Sequence, residues 1–248
     1  RIPVTPEPSF GPAQPRAVRI TLMNRRELAA MIDHTLLKPE ATSAMIDRLC
    51  AEAAKHGFAA VCVQPVWIGH CARLLRGTAV KVAGVAGFPL GGSRTDTKVD
   101  ETLRALDDGA EEIDMVIRLG DLVAGDTAVV TDDIAAVAEA IHRTIPHGIL
   151  KVILETAALT EEQIIAGCKC AIVGRADFVK TSTGFHPSGG ATLEAVRLLR
   201  EHAAPLKVKA AGGIRDTATA MAMIAAGAAR LGTSAGVKIV GNENRFTG

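Results

Sequence analysis

Two lysines carry the strongest chemical signal in this sequence. Lys180 closes the apolar run Ala176-Asp177-Phe178-Val179 and opens the small-residue turn Thr181-Ser182-Thr183-Gly184. Lys209 closes Leu206-Lys207-Val208 and opens Ala210-Ala211-Gly212-Gly213. A lysine at the end of a buried strand is costly unless something compensates its charge. Two of them on consecutive strands repel each other, and repulsion with partial burial lowers an ammonium pKa. An ordinary lysine, with a pKa near 10.4, is neutral in roughly one molecule in 2,500 at pH 7. A drop of about three units, costing about 4 kcal/mol, makes the neutral amine abundant. A neutral amine attacks carbonyls, so the pair points to Schiff-base chemistry. Small residues after each lysine leave room for a ligand, which a lysine that merely snorkels to the surface does not need.

Other polar residues stand at corresponding places. Asp33 and Thr35 end a first short run, Gly87-Phe88-Pro89-Leu90-Gly91 follows a third, and Asp114 lies near the end of a fourth. Gly232-Thr233-Ser234 follows the last. Side chains alternate along a strand, so Glu112 and Asp114 share one face, as do Lys151, Ile153 and Glu155. A buried Lys151 needs a carboxylate, and Asp114 or Glu112 could serve, either as part of a site or as a plain core ion pair. The glycines at 184, 212, 213 and 232 let backbone N–H groups approach an anion, with help from a helix N-terminus. A Schiff-base lysine beside such loops suggests a phosphorylated sugar.

The elements that must position these residues alternate regularly. Strand-like runs occur near 31–35, 58–63, 79–85, 111–117, 149–154, 176–180, 206–210 and 229–232. Helical spacing marks Ser43 to Lys55, Thr95 to Asp108, Glu161 to Ile172, Leu193 to His202 and Thr217 to Ala226. Strands alternating with helices imply parallel βαβ units. Eight of them in 248 residues predict a single-domain (β/α)8 TIM barrel over 23–248, whose active site lies at the carboxyl ends of the strands. An open doubly wound sheet is the alternative, but no GxGxxG follows the first strand. Gly109-Ala110 and Gly227-Ala228 read as helix ends placed just before strands.

Composition excludes several functions. With 28 basic and 27 acidic side chains, there is no nucleic-acid footprint. Aromatics are only 3% against 48% hydrophobic residues, so Ala, Val, Ile and Leu must build the core, as in sheets covered by helices. Cys50, Cys62, Cys71, Cys168 and Cys170 fit no common zinc spacing and read as free thiols in a reducing, cytoplasmic setting. No apolar stretch approaches the ~20 residues of a membrane span. Residues 1–22, interrupted by five prolines, lack the apolar region of a signal peptide and read as a disordered arm.

Taken together, the motifs resemble one family, the deoxyribose-phosphate aldolases. The matching segments are Ile32–Leu37, Gly87–Gly91, Glu112–Val116, Lys151–Thr156, Phe178–Gly184, Lys209–Gly213 and Leu231–Ser234, in family order across about residues 25–240. The resemblance implies reversible cleavage of 2-deoxy-D-ribose 5-phosphate to D-glyceraldehyde 3-phosphate and acetaldehyde, without metal or cofactor, in nucleoside catabolism. It implies Lys180 as the Schiff-base lysine, Lys209 as the residue that perturbs it, Asp114 with Lys209 and a water as the proton relay, and Lys151 as their electrostatic support. It implies Gly184, Gly212, Gly213 and Ser234 as phosphate ligands, Thr35 near the substrate hydroxyls, and a homodimer. Two positions depart from the pattern. Phe185 stands where some members carry a phosphate-binding lysine, and the chain has no tyrosine, where some members bring a C-terminal one to the site. Another lysine-dependent sugar-phosphate aldolase and a non-catalytic phosphosugar-binding barrel are the competing readings.

Overall fold

The computed structural model describes residues 23–241. The arm expected over 1–22 and the C-terminal residues 242–248 lie outside the described residues. Eight strands form the predicted sheet: β1 (Ile32–Leu36), β2 (Ala60–Val63), β3 (Lys81–Ala86), β4 (Glu112–Val116), β5 (Ile149–Ile153), β6 (Phe178–Lys180), β7 (Lys207–Ala211) and β8 (Arg230–Thr233). Each pairs parallel with the next, and β8 pairs with β1, closing the barrel. Closure removes the open-sheet alternative.

The helices between strands include all five segments with helical spacing. They are α2 (Ser43–His56), α4 (Thr95–Asp107), α7 (Glu161–Val173), α8 (Leu193–His202) and α9 (Thr217–Ala226). Five more were not assigned from the sequence: α1 (Arg25–Ala29), α3 (Ile68–Leu74), α5 (Leu119–Ala124), α6 (Thr127–Thr144) and α10 (Gly236–Val240). Side-chain caps start four of these ten helices, α1, α7, α8 and α9. Thr160 and Gln163 form a reciprocal capping box on α7, and the Asp216 carboxylate accepts from the Thr219 N–H to cap α9. Such caps satisfy N–H groups that the first helical turn leaves without partners.

Strand alternation divides the molecule into two cores. Outward residues such as Ile113, Met115, Leu150, Val152, Val179 and Val208 pack beneath the helices. Inward residues fill the barrel unevenly. The β1–β3 side presents Leu37, Ala60, Cys62, Ala83 and Val85 with one charge, Asp33, while β4–β8 present Glu112, Asp114, Lys151, Lys180, Lys209 and Arg230. Burial pushes the Cys62 thiol up to about 11, so it behaves as the core residue its apolar surroundings suggest. All five cysteines are buried and free.

Candidate active site

The register brings the charged residues into contact. Asp114 lies opposite Lys151 across β4 and β5, and Lys180 opposite Lys209 across β6 and β7. Asp114 is fully buried and binds three ammonium groups. Its Oδ1 accepts from Lys151 Nζ at 2.9 Å. Its Oδ2 accepts from both Lys180 Nζ, at 2.8 Å, and Lys209 Nζ, at 2.6 Å. The two lysines singled out by sequence therefore converge on one carboxylate oxygen.

Below this layer the network continues. Lys209 also donates to Asp33 Oδ2 at 2.5 Å, and Lys151 pairs with Glu112 Oε2 at 2.5 Å. Arg230 donates to Asp33 Oδ1 at 2.6 Å and contacts Glu112 at 3.3 Å, with its guanidinium 5.7 Å from the centre of the Phe178 ring. Lys151 thus joins Asp114 and Glu112 at once, and the plain core pair is absorbed into the site.

Repulsion from Lys209 is expected to lower the pKa of Lys180. Lys209 itself is shifted the other way. Burial pushes its ammonium down, but the Asp114 and Asp33 carboxylates overcome burial and hold it well above the ordinary lysine value. Lys151 is likewise raised, burial being outweighed by Asp114 and Glu112. Burial pushes Asp33 up, yet Lys209, Lys151 and Arg230 bring it down to about 2. Asp114 is held well below the carboxylate range because Lys151, Lys180 and Lys209 outweigh its desolvation. Neighbouring charge, rather than burial, wins at each of these groups.

Lys180 is the lysine that opens outward. It borders a cleft of about 380 Å³ at the carboxyl ends of β1, β6, β7 and β8. The same cleft is lined by Thr35, Gly184, Gly212, Gly213 and Ser234, so every binding residue expected from the resemblance borders the space in front of Lys180. The Thr35 hydroxyl donates to its own strand, at the Asp33 carbonyl, at 2.8 Å. Gly212 has φ 92°, and a Cβ there would come within 2.9 Å of Gly190 Cα, so only glycine fits this close backbone approach. Phe185 borders the cleft and meets the Phe88 ring edge-on at 5.4 Å.

Sequence reasoning missed several participants. Arg230 looks like an ordinary strand-opening arginine until the barrel closes and brings it to Asp33, 197 positions earlier. Lys38 and Arg215, both exposed, add cations to the cleft rim. Glu155 does not share the face of Lys151 and Ile153. β5 ends at Ile153, and Glu155 has left-handed backbone angles, φ 58° and ψ 56°. Among the described residues, no group of three or more His, Cys, Asp or Glu side chains is arranged to hold a metal, and no helix is long and apolar enough to cross a membrane.

Known proteins share this arrangement of sequence and fold. A family model described as DeoC/LacD family aldolase matches residues 28–241. A deoxyribose-phosphate aldolase of Brevibacillus brevis is 53% identical over 210 residues, covering 84% of this chain and 93% of the relative. A protein of Bacillus licheniformis, deoxyribose-phosphate aldolase 1, is 50% identical over 216 residues, covering 87% and 95%. A solved structure from Aeropyrum pernix, described as a tetrameric deoxyribose phosphate aldolase, superposes with TM-score 0.84 at 31% identity, covering 93% of this chain and 99% of that one.

Proposed function

This chain belongs to the DeoC/LacD family of aldolases, and from that premise we propose that it reversibly cleaves 2-deoxy-D-ribose 5-phosphate to D-glyceraldehyde 3-phosphate and acetaldehyde through a Schiff base on Lys180. One observation carries the assignment of roles. A single Asp114 oxygen accepts from both Lys180 and Lys209 at the floor of a glycine-lined cleft.

Charge counting supports Lys180 as the nucleophile. The network holds four cationic side chains, Lys151, Lys180, Lys209 and Arg230, against three carboxylates, Asp33, Glu112 and Asp114. Loss of one proton brings it to balance. Lys209 and Lys151 are held cationic by two close carboxylates each, whereas Lys180 has one and faces the cleft.

The reaction then proceeds in balanced steps. The neutral Lys180 amine adds to C1 of the open-chain aldehyde, and the carbinolamine expels water to give a protonated imine. The C3 hydroxyl loses its proton, and the C2–C3 bond breaks. Its electron pair moves to the imine nitrogen, releasing glyceraldehyde 3-phosphate and leaving an enamine. Protonation at C2 and hydrolysis release acetaldehyde and restore Lys180. Asp114, Lys209 and a water relay these protons, help that typically contributes ~10²–10⁴-fold. Lys151 keeps Asp114 ionised and oriented from its other oxygen. Thr35 stands beside the sugar hydroxyls. Gly184, Gly212, Gly213 and Ser234, with the exposed Lys38 and Arg215, receive the phosphate.

This reading carries with it a cytoplasmic role in nucleoside catabolism and a homodimeric assembly, the latter checked by sedimentation because one solved relative is described as tetrameric. The activity test is a coupled assay for glyceraldehyde 3-phosphate with 2-deoxyribose 5-phosphate as substrate. In the synthetic direction, acetaldehyde and dihydroxyacetone phosphate compete as donors. Cleavage with acetaldehyde as the preferred donor is expected. Preference for dihydroxyacetone phosphate, or tight sugar-phosphate binding without turnover, would reject it.

A further inference from the structure

Glu155 is a buried acid that the chemistry above does not use. It is 2% exposed, and no cation pairs with it among the described residues. With Arg175, it is one of only two non-glycine residues there with positive φ. Glutamate lacks the short side-chain contact to its own backbone that eases this conformation for Asn and Asp. Glycine would adopt it without strain. The glutamate side chain must therefore supply something that a glycine cannot.

What it supplies is a clamp on the loop after β6. Backbone pairing between the two loops flanks residue 155, through Leu154 N to Lys180 O at 3.0 Å and Thr156 N to Thr181 O at 2.8 Å. Glu155 is turned out between them, and its carboxylate reaches further along. It accepts from the Thr183 backbone N–H at 3.1 Å and from the Thr183 hydroxyl at 2.5 Å. The same hydroxyl accepts from the Phe185 N–H at 3.1 Å. Three consecutive residues, Thr183 to Phe185, thus take their geometry from one carboxylate. Gly184, inside this turn at φ 84°, lies beside Gly212, where a Cβ would make an ordinary contact with Gly184 Cα at 3.5 Å. Moving the turn moves the contact that defines two walls of the cleft.

We propose that Glu155 is a positioning residue that holds the phosphate-side wall of the cleft and thereby favours phosphorylated over unphosphorylated deoxy sugars. This deepens the aldolase reading and rests on it for the substrate. Two measurements separate the proposals. The first compares kcat/KM for 2-deoxyribose 5-phosphate and for 2-deoxyribose in the wild-type enzyme, Glu155→Gly and Thr183→Val. The ratio of the two values falls about tenfold in each variant, mainly through KM for the phosphorylated sugar, as expected for losing a hydrogen bond to a charged group. The double variant falls no further than the worse single, because both act through one contact. Glu155→Gln keeps one accepting oxygen and shows a smaller fall of the same sign, which keeps the test available if the glycine variant fails to fold.

The second measurement titrates inorganic phosphate calorimetrically and needs no turnover. Binding about tenfold weaker in Glu155→Gly is expected from the same loss. Equal phosphate affinity, or an equal fall in kcat/KM for both sugars, overturns the role of Glu155. A wild-type protein that turns over neither sugar, yet binds phosphate in a Glu155-dependent way, would support the wall and reject only the aldolase reading.

Discussion

The molecule buries lysines against carboxylates in two places, and the difference between them separates structure from chemistry. Outside the barrel, Lys98 of α4 meets Asp133 of α6 at 2.6 Å and donates to the Val116 carbonyl at the end of β4 at 2.9 Å. The Thr95 hydroxyl donates to the other Asp133 oxygen at 2.8 Å. One cation meets one anion, both are sealed from solvent, and the pair ties two helices to a strand. Inside the barrel, three lysines and an arginine share three carboxylates, and the outermost lysine borders a cleft. The first arrangement is closed in charge and space. The second holds one more cationic side chain than carboxylates and has an opening beside it.

The largest test of that contrast is to remove one lysine from each place. Lys180→Ala is expected to abolish cleavage while leaving the thermal midpoint nearly unchanged, because Asp114 keeps Lys151 and Lys209. Steady-state assays and circular dichroism check both halves. Lys98→Met should do the reverse. It strands Asp133, and breaking a buried pair costs about 3–5 kcal/mol, lowering Tm by about 10 °C, while kcat/KM at a permissive temperature stays within a few-fold. The double variant Lys98→Met/Asp133→Leu should recover much of the stability, since well-packed apolar pairs often replace buried ion pairs. Lys209→Met/Asp33→Leu should recover no activity.

A smaller effect lies in the pH dependence of stability. Asp33 has a folded pKa of about 2 and Asp114 is also depressed. Their stabilisation is complete above the unfolded value near 4 and is lost as pH falls through the folded values. Lys209 and Lys151 are raised, so their stabilisation is complete below about 10.4 and is lost as pH climbs above it. Lys98 shifts the other way, because burial outweighs the single Asp133 carboxylate and holds its pKa below the ordinary value. Just below pH 10.4 the unfolded chain binds more protons there, so this pair's contribution rises with pH. Urea midpoints across pH 3–11, wild type against Lys98→Met, should show a difference that grows as pH rises toward the ordinary lysine value. A flat difference would contradict the assigned signs.

The smallest expected change is at the cleft rim. Phe185 is 47% exposed, so a lysine there can reach solvent and a bound phosphate alike. Phe185→Lys should lower KM for the phosphorylated sugar by a few-fold, in keeping with the ~0.2–1 kcal/mol of exposed charge pairs. Added salt should erase the gain.

Much of this is legible in the sequence alone. Most of the strands appear as apolar runs because each is buried on its outer face and backed by helices, whereas β1, Ile32-Asp33-His34-Thr35-Leu36, is short and polar. Lys180, Lys209, Asp114 and Lys151 stand out because charge inside such runs demands compensation. The long helix α6 was not assigned, although Val130, Ile134, Val137, Ala138 and Ile141 form its buried stripe. Val129, Val130 and Thr131 open it with β-branched residues, and Gly125 interrupts the pattern just before. The contact between Arg230 and Asp33 was beyond reach for another reason, although Asp33 itself stands out at the end of a run, since the two meet only once β8 pairs with β1. The sign of the Lys209 shift required knowing that two carboxylates converge on it. Glu155 was misplaced because strand alternation was extended past Ile153 into a turn.

Borohydride trapping with acetaldehyde, followed by peptide mass mapping, reads out which lysine forms the Schiff base. A single ethyl adduct on Lys180 is expected in the wild-type protein and none in Lys180→Ala. An adduct on Lys209 or Lys151 would contradict the assignment of the nucleophile, and folded protein with no adduct would contradict Schiff-base chemistry in this barrel.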